Sequence, residues 1–288
     1  MDNCVLCPRK CNVNRAIQKG FCLCGKQAIV SKYMLHHWEE PSISGTNGSG
    51  AVFFSGCTLK CVYCQNKEIS RAPMGKEVTY RALGEIFLEL QDLGAHNINL
   101  VTPTHFADEI IRALDDVKDR LSLPIVYNSS AYESVETIKR LSGYIDIYLP
   151  DFKYYSSELS EKYSKAPDYF ETASKALVEM YRQVGRFVLD ENGIMQKGMI
   201  VRHLVLPTCR KDSINVLEEL LKLIPVSDIK LSLMSQYTPD FAPKEYPELS
   251  RRITTFEYNS VLNKALELGF DGFFQEKESA TKIYTPEF

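Results

Sequence analysis

From residue 51 onward, apolar positions along the chain alternate between two rhythms. Short apolar runs of strand length are separated by longer stretches in which apolar residues recur at helical spacing. AVFFSG at 51–56 is the first run. VTYRALGEIFLELQDLG at 78–94 has helical spacing and stops at Gly94, a natural residue just past a helix C-terminus. Strand-like segments follow: HNINLV at 96–101, LPIVYN at 123–128, YIDIYLP at 144–150, MIVRHLVLP at 199–207 and DIKLSLMSQY at 228–237. FDGFFQE at 270–276 is a further strand candidate. Helical segments lie at 105–121, 134–143, 156–165, 169–185, 213–224 and 249–269. Alternating strands and helices with short connections predict a parallel sheet in an α/β protein. A closed or partly closed (β/α) barrel fits this pattern, with an open doubly wound sheet as the alternative. Both place functional side chains at the C-terminal ends of the strands.

The first fifty residues lack this rhythm. CVLCPRKCNVNRAIQKGFCLCGK at 4–26 has poor periodicity and is expected to fold around ligands rather than around a core. QAIVSKYMLHHWEE at 27–40 reads as an extended connector, and the Ser- and Gly-rich 41–50 as a loop. The expected division is therefore a Cys-rich N-terminal extension at 1–40, a barrel core at 41–240 and a closing helix and strand at 241–288.

Composition narrows the class. The 288 residues are 44% hydrophobic and 25% charged, with a net charge of −3, as in a soluble globular protein rather than a general nucleic-acid binder. No apolar run reaches the ~20 residues of a membrane span, and the first ten residues hold no signal-peptide core. A cytoplasmic protein with no membrane or nucleic-acid partner is expected. In that reducing setting, clustered cysteines favour metal or iron–sulfur binding over disulfides. Eight of the nine cysteines fall within the first 64 residues, and Cys209 stands apart. That position suits a small buried apolar group or, if exposed at a barrel mouth, a thiol that meets the substrate.

Cys57, Cys61 and Cys64 form a CxxxCxxC loop in GCTLKCVYCQN, directly after the first strand. Thiolates are the usual holders of iron–sulfur clusters. Three cysteines in one tight loop leave one iron of a cubane open to a substrate or cofactor. A closed structural zinc site needs a fourth ligand that the loop does not supply. A second set, Cys4, Cys7, Cys11 and Cys22, provides four thiols, with Cys24 to spare. It fits either a structural zinc or an auxiliary iron–sulfur cluster, and a metal-free packing role stays open.

The cysteine loop, with the aromatic Tyr63 before its last cysteine, resembles the signature of the radical S-adenosylmethionine (SAM) superfamily. CxLCPRxCxVNR at 4–15, INLVTPTH at 98–105, YNSSAYE at 127–133, DIYLPDFKY at 146–154, RHLVLP at 202–207 and MSQYTP at 234–239 extend the resemblance over most of the chain. Within the superfamily they resemble activating enzymes of glycyl-radical enzymes, closest to homologues of pyruvate formate-lyase activating enzyme. The resemblance implies a partial (β/α)6 TIM-like barrel with a Cys-rich N-terminal extension. It also implies a 4Fe–4S cluster on Cys57, Cys61 and Cys64, SAM on the open iron, and a flavodoxin- or ferredoxin-type electron donor. SAM cleavage would give a 5′-deoxyadenosyl radical for hydrogen abstraction, with a glycyl-radical enzyme as the implied partner. A radical SAM enzyme acting on a small molecule or another side chain, and a non-enzymatic scaffold or sensor, are the alternatives.

The same resemblance suggests SAM contacts at Tyr63, Asn66, Thr102, Thr104, Asn128, Ser129, Asp151, Lys153, Arg202 and Gln236. Lys153 would pair with the SAM carboxylate beside Asp151, and Leu206-Pro207 would pack near adenine. Two motifs depart from the activating-enzyme pattern. Their Gly-Gly-Glu is here Val101-Thr102-Pro103-Thr104-His105, and their Asp-Thr-Asn-Gly is Tyr127-Asn128-Ser129-Ser130. Arg202 and His203 are adjacent in a strand, so one should point inward. An inward Arg202 needs an anion, either SAM or substrate, or a structural partner. Gln236 and Tyr237 end the sixth strand, where either could line the pocket or only pack.

Overall fold

A computed structural model describes residues 3–275 of the chain. Its N-terminal part contains β1 (Ala28–His36), α1 (Pro41–Ser44), β2 (Ser49–Phe54), α2 (Lys67–Arg71) and β3 (Lys76–Val78). Then come α3 (Tyr80–Asp92), β4 (Ile98–Val101), α4 (Ala107–Val117), β5 (Ile125–Ser129), α5 (Val135–Arg140) and β6 (Ile147–Pro150). The chain continues through α6 (Ser157–Ser164), α7 (Tyr169–Val184), β7 (Val188–Leu189), β8 (Met195–Leu204) and α8 (Arg210–Leu223). It ends in β9 (Lys230–Met234), α9 (Thr255–Glu267) and β10 (Gly272–Phe274).

The strands form one sheet in the order β10-β9-β8-β6-β5-β4-β2-β1-β3, with the two-residue β7 paired antiparallel to β8 off this path. From β2 to β10 all neighbours are parallel. They also follow chain order with no reversal. A doubly wound sheet reverses its strand order part-way, whereas sequential winding is that of a barrel. The α/β partial barrel is therefore the fold, and among the described residues its sheet stays open between β3 and β10.

Helix packing on the outer face follows from the sequence pattern. Leu83, Phe87 and Leu90 of α3 and Ile110, Ala113 and Leu114 of α4 lie in one core against the sheet. Gly84 allows α3 and α4 to approach closely: a Cβ there would lie 2.7 Å from the Val117 side chain. The 249–269 segment is helical only from Thr255. Thr254 stops it earlier because its hydroxyl accepts from the Glu257 amide at 3.1 Å, while the Glu257 carboxylate accepts from the Thr254 amide at 2.8 Å. This is a capping box, which fixes a helix start more sharply than apolar spacing does.

The connector at 27–40 departs most from expectation. Ala28–His36 within it is β1, paired antiparallel with β2 from Val30 to His36 and with β3 from Ala28 to Val30. Pro41–Ser44, read as loop, is a short helical turn that closes the N-terminal end of the barrel. Ile43 is fully buried there, in a cluster with Val126, Ile147, Leu149, Met195 and Ile200. The last strand candidate is found as β10, and residues from Glu276 onward lie outside those described. Among the described residues, no helix is long and apolar enough to cross a membrane.

Ile43→Ala should therefore behave as a core truncation and not as a loop change. The expected loss is about 2–4 kcal/mol in denaturant unfolding, against less than about 0.5 kcal/mol for an exposed loop position.

Candidate active site at the barrel mouth

The parallel strands present inward side chains in successive levels. Above the apolar floor around Ile43 lies a polar level that includes Asn99 of β4, Asn128 of β5 and Arg202 of β8. Beyond it opens a cavity of about 320 Å³. That is the small end of the range for ligand sites, about 300–1,000 Å³.

Cys57, Cys61 and Cys64 all line this cavity, on the loop leaving the C-terminal end of β2. Gly56, at φ +82°, starts the loop. The Cys57 sulfur accepts from the Leu59 and Lys60 amides at 3.3 and 3.4 Å. The Cys61 sulfur accepts from the Ser164 hydroxyl at 3.1 Å, and Cys64 from Ser70 at 3.7 Å. Ser164 also contacts the Tyr154 hydroxyl, itself 2.6 Å from that of Tyr63. Burial, followed by repulsion from neighbouring thiolates, pushes the Cys64 thiol up to about 12 and raises Cys57 in the same way. These are sulfurs already solvated by donors yet costly to ionise without a cation.

Lys153 and Asp151 also line the cavity and form an ion pair at 2.6 Å. Burial opposes the Lys153 charge, but Asp151 and the nearby Cys61 outweigh it and hold its pKa above the usual lysine value. Arg202 points inward, while adjacent His203 points into the core with Nδ1 2.7 Å from the Phe152 carbonyl. The anions that meet Arg202 come from the connector. Glu40 takes its Nε and Nη2 at 2.7 Å each, and Glu39 pairs with the same guanidinium. Glu39 also accepts from Asn99 at 2.9 Å. Burial works against the Glu40 carboxylate, but Arg202 holds its pKa below the usual carboxylate value.

A model of the radical SAM superfamily matches residues 51–195, half of the chain. The chain belongs to the radical SAM superfamily. An uncharacterized protein of Methanocaldococcus jannaschii is 31% identical over 92% of this chain and 74% of its own length. Among solved structures, Streptococcus suis SuiB bound to S-adenosylmethionine is 15% identical, with a TM-score of 0.49, over 76% of this chain and 47% of that one. Methylornithine synthase (PylB) is 17% identical, with a TM-score of 0.48, over 75% and 63%. The chain thus spans about half the length of SuiB and less than two thirds of PylB.

Radical SAM enzymes use SAM and a 4Fe–4S cluster, and the donor set here fits that group. Three free thiols face one cavity, and among the described lining residues there is no fourth cysteine. Their sulfurs are not gathered within 4.8 Å of one another, the span of a single-ion site. A cubane, in which each thiolate takes its own iron, wants that wider spacing.

Of the other positions expected to contact SAM, the cavity brings together Tyr63, Asn66, Thr102, Asn128, Ser129, Asp151, Lys153, Arg202 and Gln236. Thr104 is not among them. It is buried and donates to the Glu133 carboxylate at 2.6 Å, holding the turn after β4 from behind. Thr102 sits at φ +61°, a costly conformation for a β-branched residue, with its amide donating to Asn128 at 2.9 Å. Leu206, Pro207 and Cys209 are buried outside the lining, and Leu204 is the aliphatic contact from β8. Tyr237 packs edge-on against Tyr63 and donates to the Leu249 carbonyl at 2.6 Å.

Sequence reasoning missed Glu39, Glu40 and Trp38 of the connector, Gln275 after β10, and Glu133. Two adjacent carboxylates after His-His-Trp in a stretch read as a mere connector were the available signal. The N-terminal thiols are all free; Cys7, Cys22 and Cys24 are buried, and Cys4 and Cys11 are half-buried. Among the described residues, the group gathered within 4.8 Å is Cys22, Cys24 and His105.

Two expectations follow. Arg202→Met leaves two carboxylates buried without their cation and should cost about 3–5 kcal/mol in unfolding measurements. Adding Glu39→Gln and Glu40→Gln should recover most of that loss. Burial raises the Glu133 pKa to about 7 from an ordinary 4.5, against hydrogen bonds from Thr104, Ser129 and Tyr127. The folded state then holds a proton that the unfolded chain releases, so stability is full below pH 4.5 and falls as pH rises to about 7. Melting temperatures across that window should fall by the equivalent of ~3 kcal/mol, and Glu133→Gln should flatten the profile.

Proposed function

We propose that this radical SAM enzyme binds SAM between the Cys57–Cys64 loop and the Asp151–Lys153 pair, and abstracts a hydrogen atom from a glycine of a partner protein. The observation that carries the reading is the placement of Asp151 and Lys153, kept from the activating-enzyme motif, in the same cavity as the three thiols. Held by Cys57, Cys61 and Cys64, a 4Fe–4S cluster would supply one electron to SAM, whose C–S bond would break to methionine and a 5′-deoxyadenosyl radical. That radical takes the glycine Cα hydrogen, leaving 5′-deoxyadenosine and a glycyl radical. The electron comes from a flavodoxin- or ferredoxin-type donor.

In this reading, Cys57, Cys61 and Cys64 hold the cluster. Lys153 receives the SAM carboxylate, and Asp151 fixes the ammonium in place. Thr102, Asn128 and Ser129 offer oxygen acceptors to the SAM amino group where the activating enzymes place a carboxylate. Tyr63 and Leu204 supply apolar walls. Arg202, held by Glu39 and Glu40 in the polar level, leaves the anion to Lys153. A second reading, a small-molecule substrate, is favoured by one observation: the barrel interior ends in a polar level that includes Asn99, Asn128 and the Glu39–Glu40–Arg202 group, able to hydrogen-bond a small polar substrate.

Reconstituted protein with dithionite should release 5′-deoxyadenosine from SAM, read by chromatography. Cys61→Ala should abolish release. Lys153→Met should raise the KM for SAM by about tenfold, the worth of one charge-assisted hydrogen bond. Electron paramagnetic resonance of a candidate glycyl-radical protein mixed with enzyme and SAM should show a stable glycyl doublet. No doublet, with deoxyadenosine labelled from a deuterated metabolite, decides for the second reading.

A further inference from the structure

The cysteine loop has two sides. Cys57, Leu59, Cys61, Tyr63 and Cys64 line the SAM cavity. Lys60 and Val62, which alternate with them, lie outside that lining and are half-buried. Contacts extend this outer face across neighbouring segments. The Val62 amide donates to the Tyr163 carbonyl at 2.8 Å. Arg71 donates to the Cys61 and Val62 carbonyls at 3.3 and 3.2 Å. Arg9 donates to the Thr58 and Ser164 carbonyls at 2.9 and 3.0 Å and also to that of Lys165. Two of the cations meet one ring: the Arg9 guanidinium carbon lies 4.2 Å and the Lys60 ammonium 4.6 Å from the Phe21 centroid.

The charge on this face is unbalanced. Among the described residues, no carboxylate lies within ion-pair distance of Arg9, Lys60, Arg71 or Lys165, and the last two are exposed. Lys162, at the rim, is neutralised by Glu248 at 2.6 Å. Residues 3–26, which supply Arg9 and Phe21, carry five Arg or Lys and no Asp or Glu, in a chain whose net charge is −3. Cations gathered without carboxylates raise a local positive potential that steers a partner of opposite charge. In the proposed complex SAM fills the cavity side of the loop. The outer face is then the side left for electron entry.

We propose that this face docks an acidic one-electron carrier protein, whose carboxylates meet Arg9, Lys60, Arg71 and Lys165 and whose redox centre rests over Phe21 and Val62. The proposal depends on the cluster in the reading above but not on its glycine substrate. The carrier is oxidised by one electron and the cluster reduced by one, and no bond is made or broken. A small, charge-guided encounter suits a carrier that must leave after each electron.

The probe is flavodoxin, dye-labelled, titrated with the full chain and read by fluorescence anisotropy, which needs neither SAM nor turnover. Raising salt from about 50 to about 500 mM should weaken binding at least about tenfold, since the Debye length shrinks below the spacing of the charges. Lys165→Glu and Lys60→Glu should each raise Kd roughly three- to tenfold. Lys222→Glu, exposed on α8, should leave it unchanged. In reconstituted protein, Lys165→Glu should slow reduction of the cluster by flavodoxin hydroquinone, followed by its visible absorbance. Reduction by dithionite, a small ion that needs no docking, should be spared. No binding, a Kd indifferent to salt, or a response to Lys222→Glu equal to that of Lys165→Glu overturns the proposal. So does a Lys165→Glu variant slowed equally with both reductants, which marks a damaged cluster site. Normal reduction by flavodoxin without any glycyl doublet sinks the glycine substrate and still supports the dock.

Discussion

The barrel interior is organised by the need to neutralise one buried guanidinium. Arg202 points into a space where an unpaired charge would cost several kcal/mol. No strand supplies the counter-charge. It comes from Glu39 and Glu40, at the end of a connector that runs down β1 and turns beneath the barrel. Meeting that demand fixes much else. It holds Ile43 in the floor, three residues on. It brings Glu39 under Asn99 and Asn128, which donate to its carboxylate. And it occupies Arg202, which leaves the SAM carboxylate of the proposed complex to Lys153.

At the other end of the same cavity the charges have the opposite sign of difficulty. Three thiols must ionise together to hold a cluster, and burial resists this. The loop answers with two backbone amides on Cys57 and hydroxyls on Cys61 and Cys64. Lys153 stands in the same lining. The strained Thr102 belongs to this end too. A β-branched residue in the left-handed region persists only where its surroundings over-determine it. Its amide bond to Asn128 and the Thr104–Glu133 contact behind it do so.

Local patterns were enough to expect the strand and helix sequence and a parallel sheet, because each element is amphipathic over its own length, but not the strand order, which left a barrel and a doubly wound sheet both open. The cysteine loop was legible for the same reason: its chemistry lies within eight residues. What stayed hidden was non-local. Glu39 and Glu40 look like solvated charges until Arg202, some 160 positions later, is placed above them. Thr104 has the right chemistry for a ligand but the wrong side of its turn, which periodicity cannot reveal. His105 joins Cys22 and Cys24 only because β2 and β4 are neighbours in the sheet. β1 was mistaken for a connector because one face meets α3 and the other is only partly covered, so its alternation is weak.

The N-terminal segment is where these constraints converge. Arg9 donates to the carbonyls of Thr58, Ser164 and Lys165, and Arg15 to those of Gly25 and His105. Carbonyl partners do not cancel a guanidinium charge. Arg9 therefore remains a cation beside the cysteine loop, where it meets the Thr58 carbonyl. Thr58 lies between Cys57 and Cys61, and Ser164 is the residue that donates to the Cys61 sulfur. An iron–sulfur cluster on three thiolates gains negative charge on reduction, and its potential rises with nearby positive charge and with hydrogen bonds to sulfur. In the proposed reading, a segment that delivers Arg9 there would act on the ease of electron entry as well as on folding. By the same logic, any device that locks the segment's position would also bear on that potential, since the interaction energy of two charges varies in inverse proportion to their distance.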